Sequence, residues 1–266
     1  MIINCPLGCN ACDMRDAKVR CSREKLNTTE TGALQPGQLN TIFERVERNE
    51  DNQFGNITVV SRDPWVVVFH DFVKDIEVEA LLNSVKMWER STDTGQQNKF
   101  GETGRVLSQG RTSSNAWCRA ECEADPNVAS VMKRIEYTTT VPTPNFESFQ
   151  VLRYELGQKY NPHHDTGMSQ FRLPCGPRIL TFFLYLSDVE EGGETAFPKL
   201  NIAIKPKKGQ AVLWPGVKSD DPNQIDHRTT HEARPVIAGT KFAANTWIHQ
   251  YDFKTANLWG CTGSFD

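Results

Sequence analysis

The chain has 266 residues, of which 38% are hydrophobic and 24% charged, enough apolar material for a packed core. Its net charge of -3 offers no electrostatic basis for binding nucleic acid or an anionic membrane. No apolar run approaches the length of a bilayer-spanning helix, and the opening residues Met1 to Pro6 lack the basic start and apolar stretch of a signal peptide.

Residues 1–61 read as a Cys-rich, polar N-terminal extension. Cys5, Cys9, Cys12 and Cys21 crowd its start, and Cys118, Cys122, Cys175 and Cys261 follow later. An even count favours disulfides and an oxidising compartment. A structural zinc site is the alternative for the first four, because Cys9 and Cys12 have ligand-like spacing. Cys118 and Cys122 are close enough to pair locally. Asn27-Thr28-Thr29 and Asn56-Ile57-Thr58 are glycosylation sequons, relevant in the secretory route. Gln35-Pro36-Gly37 is a break, and Thr41 to Arg48 suggests a short helix.

Residues 62–254 read as the compact folded domain. Trp65 to Phe69 is β-branched and aromatic, a buried strand. Val78, Leu81, Leu82, Val85 and Trp88 recur at helical spacing, with Asp75 as the cap. Ser91 to Gly110 is a polar loop, either a lid or simply solvated chain. Asp125-Pro126 starts a second helix whose apolar face is Val128, Val131, Met132 and Ile135. Strands follow at Phe149 to Tyr154, Arg178 to Leu186, Ile202 to Lys205, Gln210 to Trp214 and Lys241 to His249, separated by Pro, Gly and Asp turns. Many short strands with tight turns indicate a mainly β sandwich or barrel with flanking helices. Residues 255–266 read as a C-terminal tail.

The chemistry concentrates in two stretches. In Arg153 to Asp165, His163 and Asp165 form a His-x-Asp pair. Extended backbone puts side chains two apart on one face, so this imidazole and carboxylate converge while His164 points away. The second stretch carries His231 and, ten residues later, Lys241. Two imidazoles and a carboxylate make a facial triad with open positions for a divalent metal. His227, four residues before His231, is the competing candidate. A cation buried among strands demands an anion, either a protein carboxylate or a dicarboxylate whose other end sits on the metal. Strand parity places Lys241, Asn245, Trp247 and His249 on one face.

With these residues the chain resembles the prolyl 4-hydroxylase family of iron(II)- and 2-oxoglutarate-dependent dioxygenases. The resemblance runs from about Pro64 to Tyr251. Its motifs are Tyr154-x-x-Gly157-Gln158-x-Tyr160-x-x-His163-x-Asp165, then Arg178 to Asp188 leading into Gly192-Gly193-Glu194-Thr195-Ala196-Phe197-Pro198, then His231 to Lys241 with Trp247. It implies a double-stranded β-helix (jelly roll) core. It also implies iron(II), 2-oxoglutarate, oxygen and ascorbate, a proline-containing polypeptide substrate, and the endoplasmic reticulum or secretory pathway. By residue, it implies His163, Asp165 and His231 as metal ligands. Lys241 anchors the distal carboxylate of 2-oxoglutarate, joined by Tyr154 and Thr181. Tyr160, Arg178 and His249 contact or position the peptide. Two other readings stand beside a peptidyl-proline 4-hydroxylase: a non-catalytic peptide-binding module on this fold, and a dioxygenase acting on another residue or a small molecule.

Overall fold

The structure is a computed structural model that describes residues 16–26, 32–97 and 103–262. Cys5, Cys9, Cys12 and the Asn27 sequon lie outside the described residues.

Two short helices, α1 (Ala17–Arg20) and α2 (Arg23–Leu26), precede α3 (Gln38–Arg48). The strands β1 (Ile57–Arg62) and β2 (Trp65–Phe69) lead into α4 (Asp75–Asn83). Next come β3 (Glu89–Arg90), a hairpin of β4 (Thr92–Gln97) and β5 (Thr103–Leu107), and β6 (Ser114–Trp117). Helices α5 (Glu121–Ala124) and α6 (Pro126–Thr139) follow. The remaining strands are β7 (Gln150–Tyr154), β8 (Tyr160–His163), β9 (Arg178–Tyr185), β10 (Glu191–Gly192), β11 (Thr195–Phe197) and β12 (Ile202–Ile204). They continue as β13 (Ala211–Pro215), β14 (His231–Ala233), β15 (Val236–Ala238) and β16 (Lys241–His249), and α7 (Phe253–Leu258) closes the order.

A major sheet runs in the order β1-β2-β13-β9-β16-β7-β6-β3, and a minor sheet in the order β12-β11-β14-β8. Every pairing in both is antiparallel. This is a jelly roll: two antiparallel sheets face each other and helices cover the outer face of the larger one. The face of the major sheet that carries Leu180, Phe182, Leu184 and Ile248 packs on Phe43, Val78, Leu81, Val131 and Ile135 of the helices. The opposite face, with Leu152, Tyr154, Phe183, Tyr185 and Trp214, meets Phe197, Ile204 and Ala233 of the minor sheet.

Several expectations change. Leu39, Ile42, Phe43 and Val46 of α3 are buried in the main core, and β1 edges the major sheet. Residues 32–61 are therefore part of the folded unit rather than an extension of it. Asp75 is the first residue of α4, not its cap; that position is Lys74, whose N–H donates to Glu77. The helix stops at Asn83, yet Val85 and Trp88 still pack on the core from the chain beyond it. The polar stretch from Ser91 contains the β4–β5 hairpin. At α6 the spacing and the structure agree: Asp125 accepts from the N–H groups of Asn127 and Val128. Cys21 is bonded to Cys261 and Cys118 to Cys122, which removes Cys21 from any four-cysteine zinc site. The C-terminal tail is thus stapled beside α1, and its cluster includes Phe253, Ala256 and the buried free thiol of Cys175.

Candidate active site

β8 and β14 pair with His163 directly opposite His231. Residues opposite each other in an antiparallel pair point to the same face. Both imidazoles therefore leave the minor sheet toward the interior, their ring centroids 4.3 Å apart. Asp165 follows two residues beyond His163, past the strand end. One carboxylate oxygen is 3.9 Å from His163 Nε2, and the other is 3.5 Å from His231 Nε2. The three ligand atoms lie within 4.8 Å of one another, so the structure brings together the three residues expected to share a metal.

The tautomers suit that use. His163 Nδ1 faces the Asn161 carbonyl at 2.9 Å, and His231 Nδ1 faces the Thr229 carbonyl at 3.0 Å. A carbonyl only accepts, so each Nδ1 carries the proton and each Nε2 keeps its lone pair for the site. Burial and the neighbouring His231 push His163 well below the ordinary histidine range, keeping it neutral. Burial alone would raise the Asp165 carboxyl. The His231 and His163 rings, the Thr181 hydroxyl and Arg178 outweigh it and hold Asp165 below the usual carboxylate range. Two imidazole nitrogens and one carboxylate are a donor set that fits a divalent metal such as iron(II).

Lys241 opens β16, opposite Tyr154 of β7, and is completely buried. Its ammonium donates to the Gly193 carbonyl at 2.7 Å. The rings of Tyr154, Phe183 and Tyr185 surround it, with centroids 5.3, 5.3 and 5.5 Å away. Burial lowers its pKa to about 7, with only the Glu194 charge working against that. A cation held by one neutral carbonyl suits an anionic ligand. Two further groups call for a partner: Asn245 Nδ2 and Trp247 Nε1 are buried without a hydrogen-bond acceptor, and both residues line the cavity between the sheets.

Other expected residues land differently. Thr181 lines the cavity, but its hydroxyl donates to Asp165 at 2.7 Å rather than being held free for a carboxylate of the co-substrate. Tyr160 stacks on His163, with centroids 3.5 Å apart. Arg178 and His249 are not among the lining residues; they reach the cavity at one remove. Arg178 Nε donates to Glu147 at 2.6 Å, and the guanidinium lies 3.7 Å over the Trp247 ring. His249 Nε2 donates to the same Glu147 oxygen at 2.8 Å, and its Nδ1 faces the Gly176 carbonyl at 2.9 Å. Burial opposes charge on that ring, but Cys175 and the Glu147 carboxylate raise its pKa to about 9, so both nitrogens donate. His227 stays outside the cluster, its ring 5.8 Å from that of His164.

Thr195 and Arg111 are among the lining residues that carried no role in the sequence. Thr195 sits on the minor sheet and accepts from the Tyr185 hydroxyl at 2.7 Å, leaving its own proton to donate. It lies in the Gly-Gly-Glu-Thr turn, where the motif was the available signal. Arg111 bonds Gln150 at 2.7 Å with its guanidinium 5.0 Å over Tyr160. Nothing in its local sequence marks it.

Residues 149–249 match the family described as the 2OG-Fe(II) oxygenase superfamily. Prolyl 4-hydroxylase 5 of Arabidopsis thaliana is 32% identical over 241 residues, covering 81% of this chain and 80% of that protein. The chain belongs to the prolyl 4-hydroxylase family. It is an iron(II)- and 2-oxoglutarate-dependent dioxygenase of the proline 4-hydroxylating class. Prolyl 4-hydroxylase subunit alpha-1 of Rattus norvegicus is 34% identical over 194 residues, 70% of this chain but 35% of that longer protein. Among solved structures, the viral collagen prolyl hydroxylase of Paramecium Bursaria Chlorella virus-1, as its 2OG complex, superposes with a TM-score of 0.53 at 28% identity. That match covers 69% of this chain and 95% of the viral one. A Trichoplax adhaerens prolyl hydroxylase, bound to a hypoxia inducible factor peptide fragment, shares the fold at 18% identity with a TM-score of 0.51.

Proposed function

We propose that this prolyl 4-hydroxylase acts on proline in extended, proline-rich or collagen-like polypeptide. His163, Asp165 and His231 hold the metal, and Lys241 with Tyr154 holds the distal carboxylate of 2-oxoglutarate. The observation that carries the assignment is the meeting of those three ligand atoms in a cavity, with a fully buried lysine ammonium beside two of its lining rings, Tyr154 and Phe183. Iron(II) bound there, with 2-oxoglutarate and oxygen, supplies the oxidising chemistry for a C–H bond at C4 of proline.

The remaining work is placement. The carbonyls of Asn161 and Thr229 fix the rings that bear the two nitrogen ligands. Thr181 fixes the carboxylate. Leu152, Phe183, Trp214 and Trp247 make the cavity wall largely apolar, which keeps water from competing with the co-substrate. Tyr160 and Arg178 stand where an extended peptide would pass, beside His163 and across Trp247. A polyproline II segment presents flat rings and unpaired carbonyls, suited to an aromatic and cationic surface. His249 supports that surface through Glu147. The two disulfides favour an oxidising compartment, in keeping with the secretory pathway. Among the described residues no helix is long and apolar enough to cross a membrane. Ascorbate, as the reductant that keeps the iron ferrous, belongs to the same reading.

The test is turnover of a peptide panel with iron(II), 2-oxoglutarate and ascorbate, scored by mass spectrometry and succinate release. Proline-rich peptides should gain one oxygen on proline. Peptide binding that ignores metal removal and yields no succinate would instead favour a binding module. Oxygen on lysine or on a small molecule would move the activity to another substrate.

A further inference from the structure

His164 lies between two of the metal-binding residues, yet its ring turns away from them. Its polar atoms are fully engaged. The Thr166 N–H donates to Nδ1 at 3.0 Å, and Nε2 lies 2.9 Å from the Asp226 carbonyl. The Thr166 carbonyl also lies 3.2 Å from Nδ1. The tautomer with its proton on Nε2 serves the two shorter contacts, a lone pair on Nδ1 for the Thr166 N–H and a donor for the Asp226 carbonyl. The opposite tautomer would aim a lone pair at the Asp226 carbonyl.

That carbonyl is a hub. It also accepts from the Thr229 N–H at 3.1 Å and the Thr229 hydroxyl at 2.9 Å. Thr229 in turn offers the carbonyl that orients His231. On the other side, the Thr166 N–H donates to Nδ1 within the turn that carries Asp165. Beyond the His163–His231 pair the two strands end. From there, among the described residues, the hydrogen bonds joining 164–168 to 226–230 run through the His164 ring.

We propose that His164 is a positioning residue for the metal site: its imidazole ties the segment carrying His163 and Asp165 to the segment carrying His231, and sets the distance between them. The inference rests on the metal assignment above. It differs from the first reading of the motif, in which His164 was only the residue that points away.

Asn and Gln separate the two halves of the ring. An Asn amide reaches about as far as Nδ1 and keeps the local turn. A Gln amide reaches the Nε2 position and keeps the donor to Asp226. The experiment is calorimetric titration of Mn(II) into the apoprotein of wild type, His164→Gln and His164→Asn, with circular dichroism as the folding control. His164→Gln should bind within a few-fold of wild type. His164→Asn should fold and lose about 10- to 100-fold in affinity, the usual cost of an outer partner of a metal ligand. The visible spectrum of bound Co(II) should change in His164→Asn and not in His164→Gln.

If wild type takes up no Mn(II), the metal assignment fails and takes this inference with it. If wild type binds and His164→Asn equals it, the inference alone is overturned. Equal losses in both variants would also overturn it, since the ring rather than the bond would then matter. Should His164→Asn not fold, His164→Ser takes its place under the same expectation. Loss of fold in both would make His164 a folding residue and not a positioning one.

Discussion

The two faces of β9 and β16 differ in what they leave unsatisfied. Toward the helices, Phe182, Leu184, Ala244 and Ile248 pack into a continuous apolar core. Toward the minor sheet, the alternate positions Thr181, Lys241, Asn245 and Trp247 are just as buried but polar. There a cation has one neutral partner, and two donors have none. Burial on the first face is a source of stability. On the second it costs stability and stores binding capacity for ligands. One strand carries both roles because its side chains alternate.

Substitutions on the two faces should therefore separate. Phe43→Ala, on the helix side, removes a fully buried ring stacked on Trp65 at 5.4 Å. Chemical denaturation should show a loss of about 3–5 kcal/mol, with metal affinity unchanged in the protein that remains folded. Lys241→Met should do the reverse. Melting temperature should hold or rise, because a poorly paired buried charge is replaced by an apolar chain of similar length. The 2-oxoglutarate requirement should climb by about 30-fold or more, from the loss of roughly 2–5 kcal/mol of buried charge pairing. A melting temperature that falls while the co-substrate requirement stays constant would erase the distinction between the faces.

Cys21→Ser tests a third region, the stapled termini. The bond spans 240 residues of sequence, and its removal should cost about 2–4 kcal/mol in denaturation experiments. Metal titration should not change, since the staple lies on the α7 side.

The smallest effect is a pH dependence. Lys241 titrates near 7 in the folded protein, against 10.5 for an ordinary lysine. Its folded pKa is depressed, so above about pH 7 the amine is neutral and must take up a proton to pair with a carboxylate. Affinity for 2-oxoglutarate should be full below that value and fall by up to about tenfold per pH unit above it. Lys241→Met should flatten that slope. A wild-type affinity that rises with pH would reverse the sign and refute the pairing.

How much of this was legible in the sequence differs from residue to residue. His163 and Asp165 were readable because a period of two needs only locally extended backbone. Lys241 was readable because an inward cation on an apolar strand demands an explanation. The α6 helix carried its cap and its stripe together. By contrast, a short helix at Thr41 to Arg48 was readable but its burial was not: the stripe Leu39, Ile42, Phe43 and Val46 of α3 spans only 11 residues dense with charge, too few to mark it as core. The minor-sheet strands β11 and β14 are three residues each, too short for any period to show. Thr181, Arg111 and Cys21 act through partners 16, 39 and 240 residues away. Such partnerships exist only once the chain has closed on itself.

The most direct test of the central assignment is a crystal structure of the protein grown with Mn(II) and 2-oxoglutarate in the absence of oxygen. The metal should be bonded to His163 Nε2, an Asp165 oxygen and His231 Nε2, with the far carboxylate of 2-oxoglutarate against the Lys241 ammonium. A metal held elsewhere, or a dicarboxylate that leaves Lys241 bonded only to Gly193, would contradict it.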